Sequence, residues 1–252
     1  MAFVTRDTLT QYLSDLLHPE VFKDYCPNGL QVEGRNEIST LVCGVTANQG
    51  LLDTAVAEGA DAILVHHGWF WRGESGVVTG IRRNRLKTLL LNDVNLYAYH
   101  LPLDAHPLLG NNAGLARAAG WTPTGVFGEQ GLGCLGTAPP GSTVKTLVAD
   151  LEKALGRAPF VLADSSDRPV QRLAWCTGAA QGYFEAAIDA GVDVFVTGEV
   201  SEPMVHLARE TGVAYLAAGH HATERFGVQA LGEAIGKEFG IAVSYCEVDS
   251  PV

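Results

Sequence analysis

Ala62-Ile63-Leu64-Val65-His66-His67-Gly68 decides how this chain is read, because four apolar residues run directly into two adjacent imidazoles and a glycine. A short apolar run closed by a turn former has the form of a buried strand. Successive strand side chains point to opposite faces. His66 and His67 therefore diverge if the strand continues, and converge on one ion cluster if the chain turns at Gly68. The plain alternative is one packed and one solvated histidine, since imidazole is an ordinary half-buried group. The flanking sequence decides between them.

Upstream, Thr5 followed by Leu9, Tyr12, Leu13, Leu16 and Leu17 predicts an amphipathic helix that His18-Pro19 closes. Tyr25 to Gly34 is rich in turn formers and reads as a loop ahead of a central strand at Thr40-Leu41-Val42-Cys43-Gly44-Val45. Gln49 to Glu58 reads as a helix with Leu51, Leu52, Ala55 and Val56 inward, stopped by Gly59. Together with Ala62–Val65 this is a β-α-β unit, the building block of a mostly parallel sheet.

Downstream of the histidines stand Trp69-Phe70-Trp71 and the basic run Arg82-Arg83-Asn84-Arg85-Leu86-Lys87, which opens a leucine-rich helix. The aromatics either stack on a flat ring or pack, with packing the favoured reading. The arginines either hold a phosphate or form a solvated helix face. A strand at Val94–Tyr99 then delivers His100-Leu101-Pro102-Leu103-Asp104, where Pro102 argues against a regular helix and His100 orients Asp104 or supports the loop. Gly120 to Gly141 thins into glycine, proline and threonine and reads as a domain connection, dividing the chain into 1–125 and 126–252. Beyond it come a helix at Val144–Leu155 and a strand at Val170–Thr177.

There the pattern repeats. Gly44-Val45-Thr46-Ala47-Asn48-Gln49-Gly50 aligns with Cys176-Thr177-Gly178-Ala179-Ala180-Gln181-Gly182, and at the same offset Gly59 matches Gly191 and Asp61 matches Asp193. His66-His67 then stands against Gly198-Glu199, so the two copies contribute unequal groups. Self-similarity of this kind points to two related α/β domains arising from an internal duplication. Tyr99-His100 with Asp104 likewise resembles Gly219-His220 with Glu224. Residues four apart on a helix share a face, so His220 and Glu224 can serve one ion or two neighbours, while His221 points elsewhere. His66, His67, Asp104, His220 and Glu224 all fall at the C-terminal ends of expected strands, where α/β sheets place their sites. Mixed imidazole and carboxylate donors suit zinc, iron, manganese, cobalt or nickel.

Composition narrows the class. The chain has 252 residues and a formal charge of −11, from 28 acidic against 17 basic side chains. That balance argues against stable nucleic-acid binding, which needs clustered Lys and Arg, but leaves room for a small anionic substrate at a local basic patch. Five scattered cysteines with no CxxC pair suggest neither a disulfide framework nor a thiolate zinc site, and fit a reducing cytoplasm. No signal segment or membrane-length apolar run is evident.

His66-His67-Gly68, the segment from His100 to Asp104, Gly219-His220-His221-Ala222-Thr223-Glu224 and the loop Pro27–Gly34 together resemble the NIF-three-like dinuclear-metal family, over essentially the whole length and most closely its compact YbgI-type members. The resemblance implies two related α/β domains with a metal pair between them, held by His66, His67, Asp104, His220 and Glu224. It also implies a homohexameric ring, and it brings the family's name of GTP cyclohydrolase type 2 homologue. On that reading the chain is a metal-dependent hydrolase acting on a nucleotide or related small molecule. Trp69 or Trp71 then stacks the base, Arg82, Arg83 or Arg85 meets the phosphates, and His100, His221 and Glu199 support the ions or transfer protons. The rival reading is a non-enzymatic metal carrier, or a ring-shaped scaffold.

Overall fold

The computed structural model describes residues 2–252. Its contacts divide the chain into two units, one comprising residues 1–103 with 227–249 and the other 104–226 with 250–252. The division falls between Leu103 and Asp104, whereas the sequence reading places it near residue 125. Residues 120–141, read as a connection, instead form a strand pair inside the second unit. Glycine and proline density there reflects a strand pair whose outer member, Thr122–Phe127, is an exposed edge, not a linker.

The first unit opens with strand β1 (Val4–Thr5) and helix α1 (Arg6–Leu17), whose N-cap Thr5 accepts the Thr8 N–H. Leu9, Leu13 and Leu17 form its buried stripe, and His18 ends it in the left-handed region. β2 (Gly29–Val32), β3 (Glu37–Ile38) and β4 (Thr40–Thr46) follow, then α2 (Gln49–Ala57), β5 (Ala62–His67), α3 (Gly80–Asn92) and β6 (Asn95–Ala98). The stretch read as a loop thus contains an edge strand: β2 pairs antiparallel with β6, through a register irregularity between Leu30 and Val32. A short, irregular edge strand carries little apolar periodicity, which is why composition hides it. β4, β5 and β6 are mutually parallel, and their apolar residues are buried on both sheet faces.

Helix α4 (Leu101–Ala105) corrects the expectation drawn from Pro102. Proline there sits in the first turn, where its missing N–H would have no intrahelical partner anyway. The second unit continues through α5 (Asn111–Ala119), β7 (Thr122–Phe127), β8 (Gly133–Thr137), α6 (Val144–Leu155), β9 (Phe160–Leu162) and β10 (Arg172–Trp175). It is completed by α7 (Phe184–Asp189), β11 (Val194–Thr197), α8 (Glu202–Thr211), β12 (Ala214–Ala217) and the start of α9 (His220–Phe239). Its six-stranded sheet runs β7-β8-β10-β11-β12-β9, with β10, β11 and β12 parallel. The later turns of α9 belong to the first unit, as does β13 (Ala242–Tyr245), which joins β4 in parallel and completes the five-stranded order β13-β4-β5-β6-β2.

The duplication is written into the hydrogen bonds. Asp61 Oδ2 accepts the N–H groups of Ser39 and Thr40, and Asp193 Oδ2 accepts those of Gln171 and Arg172, the positions that correspond in the repeat. Each carboxylate therefore fastens the start of its neighbouring strand. Register also refines the alignment: β5 pairs Ala62 with Asn95 and β11 pairs Val194 with Ala214, which sets His100 opposite Gly219 and Leu101 opposite His220. His100 and His220 are thus one step out of correspondence, not equivalent. Among the described residues no helix is long and apolar enough to cross a membrane.

Candidate metal centre

In the first unit, β5 does not turn at Gly68 to gather the two histidines. The strand runs through His67, which pairs with Thr46, while the last β5–β6 pair is Val65 with Ala98. The rings nevertheless come together, with centroids 4.6 Å apart at 44°. Each is turned by its own anchor. The wholly buried His66 donates from Nδ1 to the Tyr99 carbonyl at 2.9 Å, and His67 Nδ1 lies 3.3 Å from Thr46 Oγ1. His100 is the third member, with ring centroids 5.1 Å from His66 and 5.7 Å from His67, and one ring nitrogen of each of the three falls within 4.8 Å of the others.

His100 does not orient Asp104. Its Nδ1 donates to Asp24 Oδ1 at 2.7 Å, and its backbone N–H donates to Asn28 Oδ1. Asp24 Oδ2 in turn accepts the Leu101 N–H and the Asn28 side-chain amide. Burial pushes the Asp24 carboxyl upward, but the His100 ring, the Asn28 amide and the Tyr25 N–H outweigh it and hold the pKa down at about 2. Sequence reasoning missed Asp24, which stands one residue ahead of the turn-rich stretch that begins at Tyr25 and belongs to no motif. Cys26 shares this corner, but burial followed by the Asp24 charge pushes its thiol up to about 12, so it offers no ready thiolate.

Trp71 stands at the edge of the cluster, its ring centroid 5.0 Å from His100 and 6.0 Å from His67, with its indole N–H on the Gly68 carbonyl. Trp69 is buried in the core of this unit and donates to the Ala47 carbonyl. Arg82, Arg83 and Arg85 lie on α3; Arg82 pairs with Glu74 and also bonds the Ser75 carbonyl, while Arg83 is exposed.

In the second unit, Asp104 and Glu224 are 8% and 3% exposed, a degree of burial that carboxylates reach only with partners. Asp104 Oδ1 accepts the Asn111 amide at 2.8 Å and the Thr177 hydroxyl at 3.4 Å. Glu224 Oε2 lies 3.0 Å from His220 Nε2, one helical turn apart as the spacing predicts. His220 Nδ1 donates to Glu199 Oε1 at 2.7 Å, so its ring bridges two carboxylates. Burial alone would lower the His220 pKa; Glu224 and then Glu199 overturn that and raise it to about 9. The Glu224 carboxylate also rests on the backbone of Gly178, where any Cβ would collide with it and where φ is +71°. Glycine is required there on both counts. His221 points its backbone N–H at the Val252 carbonyl.

These donors fit divalent metal ions. Nδ1 of His66 and of His220 carries its hydrogen toward an oxygen, the tautomer whose Nε2 lone pair ligates a metal, and the supporting oxygens are of the kind that orient metal-bound imidazoles. The buried Glu224 needs a neighbouring positive charge, which an ion would supply as well as a proton on His220 does.

A family model, Duf34/NIF3 (NGG1p interacting factor 3), matches residues 4–251. A Yersinia pestis protein named "GTP cyclohydrolase 1 type 2 homolog" is 52% identical over 244 residues, covering 96% of this chain and 98% of its own. The solved structure titled "Structural genomics, protein ybgI, unknown function" is 48% identical, covers 99% of this chain and 100% of its own, and superposes with a TM-score of 0.94. TTHA1606 from Thermus thermophilus is 32% identical with the same coverage and a TM-score of 0.91. Matched from end to end by the family model and by relatives of this similarity, the chain belongs to the Duf34/NIF3 family.

Proposed function

We propose that the chain binds two divalent metal ions through His66, His67, Asp104, His220 and Glu224, and hydrolyses a nucleotide or related small anionic molecule. The observation that carries this reading is the support around the donors. The Tyr99 carbonyl, Thr46, Asn111, Thr177 and Glu199 hold four of the five proposed ligands in fixed orientations. Such preorganisation is characteristic of metal sites and needless for solvated histidines. When bound, the ions acidify water and polarise the electrophile.

The remaining roles fall to this chain's own groups. Asp24 fixes the His100 Nδ1 hydrogen, which leaves Nε2 as the proton-accepting nitrogen of that ring, beside His66 and His67. Trp71 covers the cluster's edge and offers an indole against which a flat ring stacks. Glu199 holds the His220 ring in its ligating tautomer. We also propose that the chain assembles as a homohexamer, supported by the exposed apolar side chains Val77, Val78, Ile81, Leu90 and Leu91.

The test is turnover by the metal-loaded protein across GTP, other nucleotides, cyclic nucleotides and phosphoesters. Hydrolysis that disappears in both His67→Ala and Glu224→Ala supports the proposal. Metal binding without turnover on any of these would assign a carrier role instead.

A further inference from the structure

On the second unit a cavity of about 520 Å³ lies beyond the C-terminal ends of β11 and β12, lined by Arg157, Phe160, Gly198, Glu199, Val200 and Gly219 among others. This is the end of a parallel sheet at which α/β proteins bind ligands. The charged side chains of its wall are Glu199 and Arg157, and Val252, whose carbonyl accepts the His221 N–H, lines it as well. Glu199 is committed: Oε1 accepts from His220 Nδ1 at 2.7 Å and Oε2 lies 3.4 Å from the Gln181 amide. Arg157 is half-buried and, among the described residues, makes no hydrogen bond or ion pair. Other arginines of the same unit behave differently: Arg172 holds the Ala190 carbonyl and Arg225 the Ala154 carbonyl.

The Arg157 side chain lies close against Gly219. A Cβ there would come within 2.7 Å of Arg157 Nη1 and 3.0 Å of its Cζ, and Gly219 has φ +102°. The backbone therefore makes room for the arginine immediately before His220. A planar five-donor group set against glycine, with no internal acceptor, is built to receive oxygens from outside. Phe160 and Val200, 51% and 38% exposed, add apolar surface to the same cavity.

We propose that Arg157 is the anion-binding residue of the substrate pocket, receiving a phosphate or carboxylate of a small ligand whose apolar part lies on Phe160 and Val200. The proposal rests on the hydrolase reading for what happens next: Glu199 is both a wall of the cavity and the partner of His220, so a ligand held at Arg157 is one side chain from the His220–Glu224 pair.

Phenyl phosphate and phenylacetate are the probes, titrated calorimetrically into the metal-loaded full chain, with benzyl alcohol as the neutral control. At least one anion binds the wild type while the alcohol does not, and the tighter of the two assigns the group recognised. Arg157→Met weakens that binding by roughly tenfold to a hundredfold, the scale of a lost charge-assisted hydrogen bond. Arg157→Lys restores part of it, and metal content is unchanged in both. Wild-type affinity in Arg157→Met, or no binding of either anion to the wild type, overturns the proposal. The titration set beside the turnover assay separates the two readings. Arg157-dependent binding in a protein without turnover leaves this pocket standing and removes the hydrolase, whereas turnover indifferent to Arg157→Met removes the pocket alone.

Discussion

Glu199 Oε1 lies 2.7 Å from His220 Nδ1, and in the internal repeat Glu199 occupies the position that His67 holds in the first copy. One backbone position at the end of one kind of strand thus presents an imidazole in the first copy and an imidazole's support in the second. Duplication supplied the frame, and divergence at this position made the two donor sets unequal.

Glu199→Ala removes the acceptor for His220 Nδ1 without touching a proposed ligand. Metal affinity should fall by roughly ten- to a hundredfold, the range for lost supporting partners. Glu199→Gln, which keeps an acceptor oxygen, should fall less. Competition with a chromophoric chelator measures both.

Asp24 and Asp61 predict the acid limb of stability. Asp24 is held at about 2, and Asp61 is also lowered: burial raises it, but the Ser39 and Thr40 N–H groups, the Ser39 hydroxyl and Arg35 outweigh that. A carboxyl depressed in the folded state binds fewer protons there than in the unfolded chain. Its contribution is therefore complete above the ordinary carboxylate pKa and is lost as pH falls through the folded value. Denaturant midpoints should hold above about pH 4 and decline toward pH 2. Asp24→Asn and Asp61→Asn should lower the neutral-pH midpoint and flatten that decline. An unchanged slope in both variants would show that other groups set it.

The repeat makes a paired prediction about folding. Asp61→Ala and Asp193→Ala each leave two strand-start N–H groups without their acceptor. Asp61 is the more buried, at 7% exposure, so its loss should cost about 1–3 kcal/mol and that of Asp193 less. Urea denaturation compares them directly.

Assembly is tested by mass. Six chains of 26.7 kDa give about 160 kDa in light scattering. Ile81→Glu combined with Leu91→Glu, at positions 70% and 73% exposed, should reduce that mass while leaving the far-ultraviolet circular dichroism intact. A wild-type mass of one chain would contradict the hexamer.

Much of this was legible in the sequence because it is local. The stripe Leu9, Leu13, Leu17 specifies α1, and the matched Asp61 and Asp193 announce the duplication. The β-α-β succession delivers His66 and His67 to a strand end. What stayed hidden depends on contacts between distant segments. Asp24 meets His100 across 76 residues, and Thr177 meets Asp104 across 73. The offset between His100 and His220 is a matter of strand register, which residue identity alone does not fix. Arg157 carries no motif at all; only the cavity and Gly219 single it out.

Whether these residues hold metal is decided by elemental analysis of the purified, dialysed protein. About two equivalents of a zinc, iron, manganese, cobalt or nickel ion per chain are expected, with loss of at least one in His67→Ala and in Glu224→Ala. Wild-type protein that retains no such ion after reconstitution, or variants that retain both, would contradict that expectation.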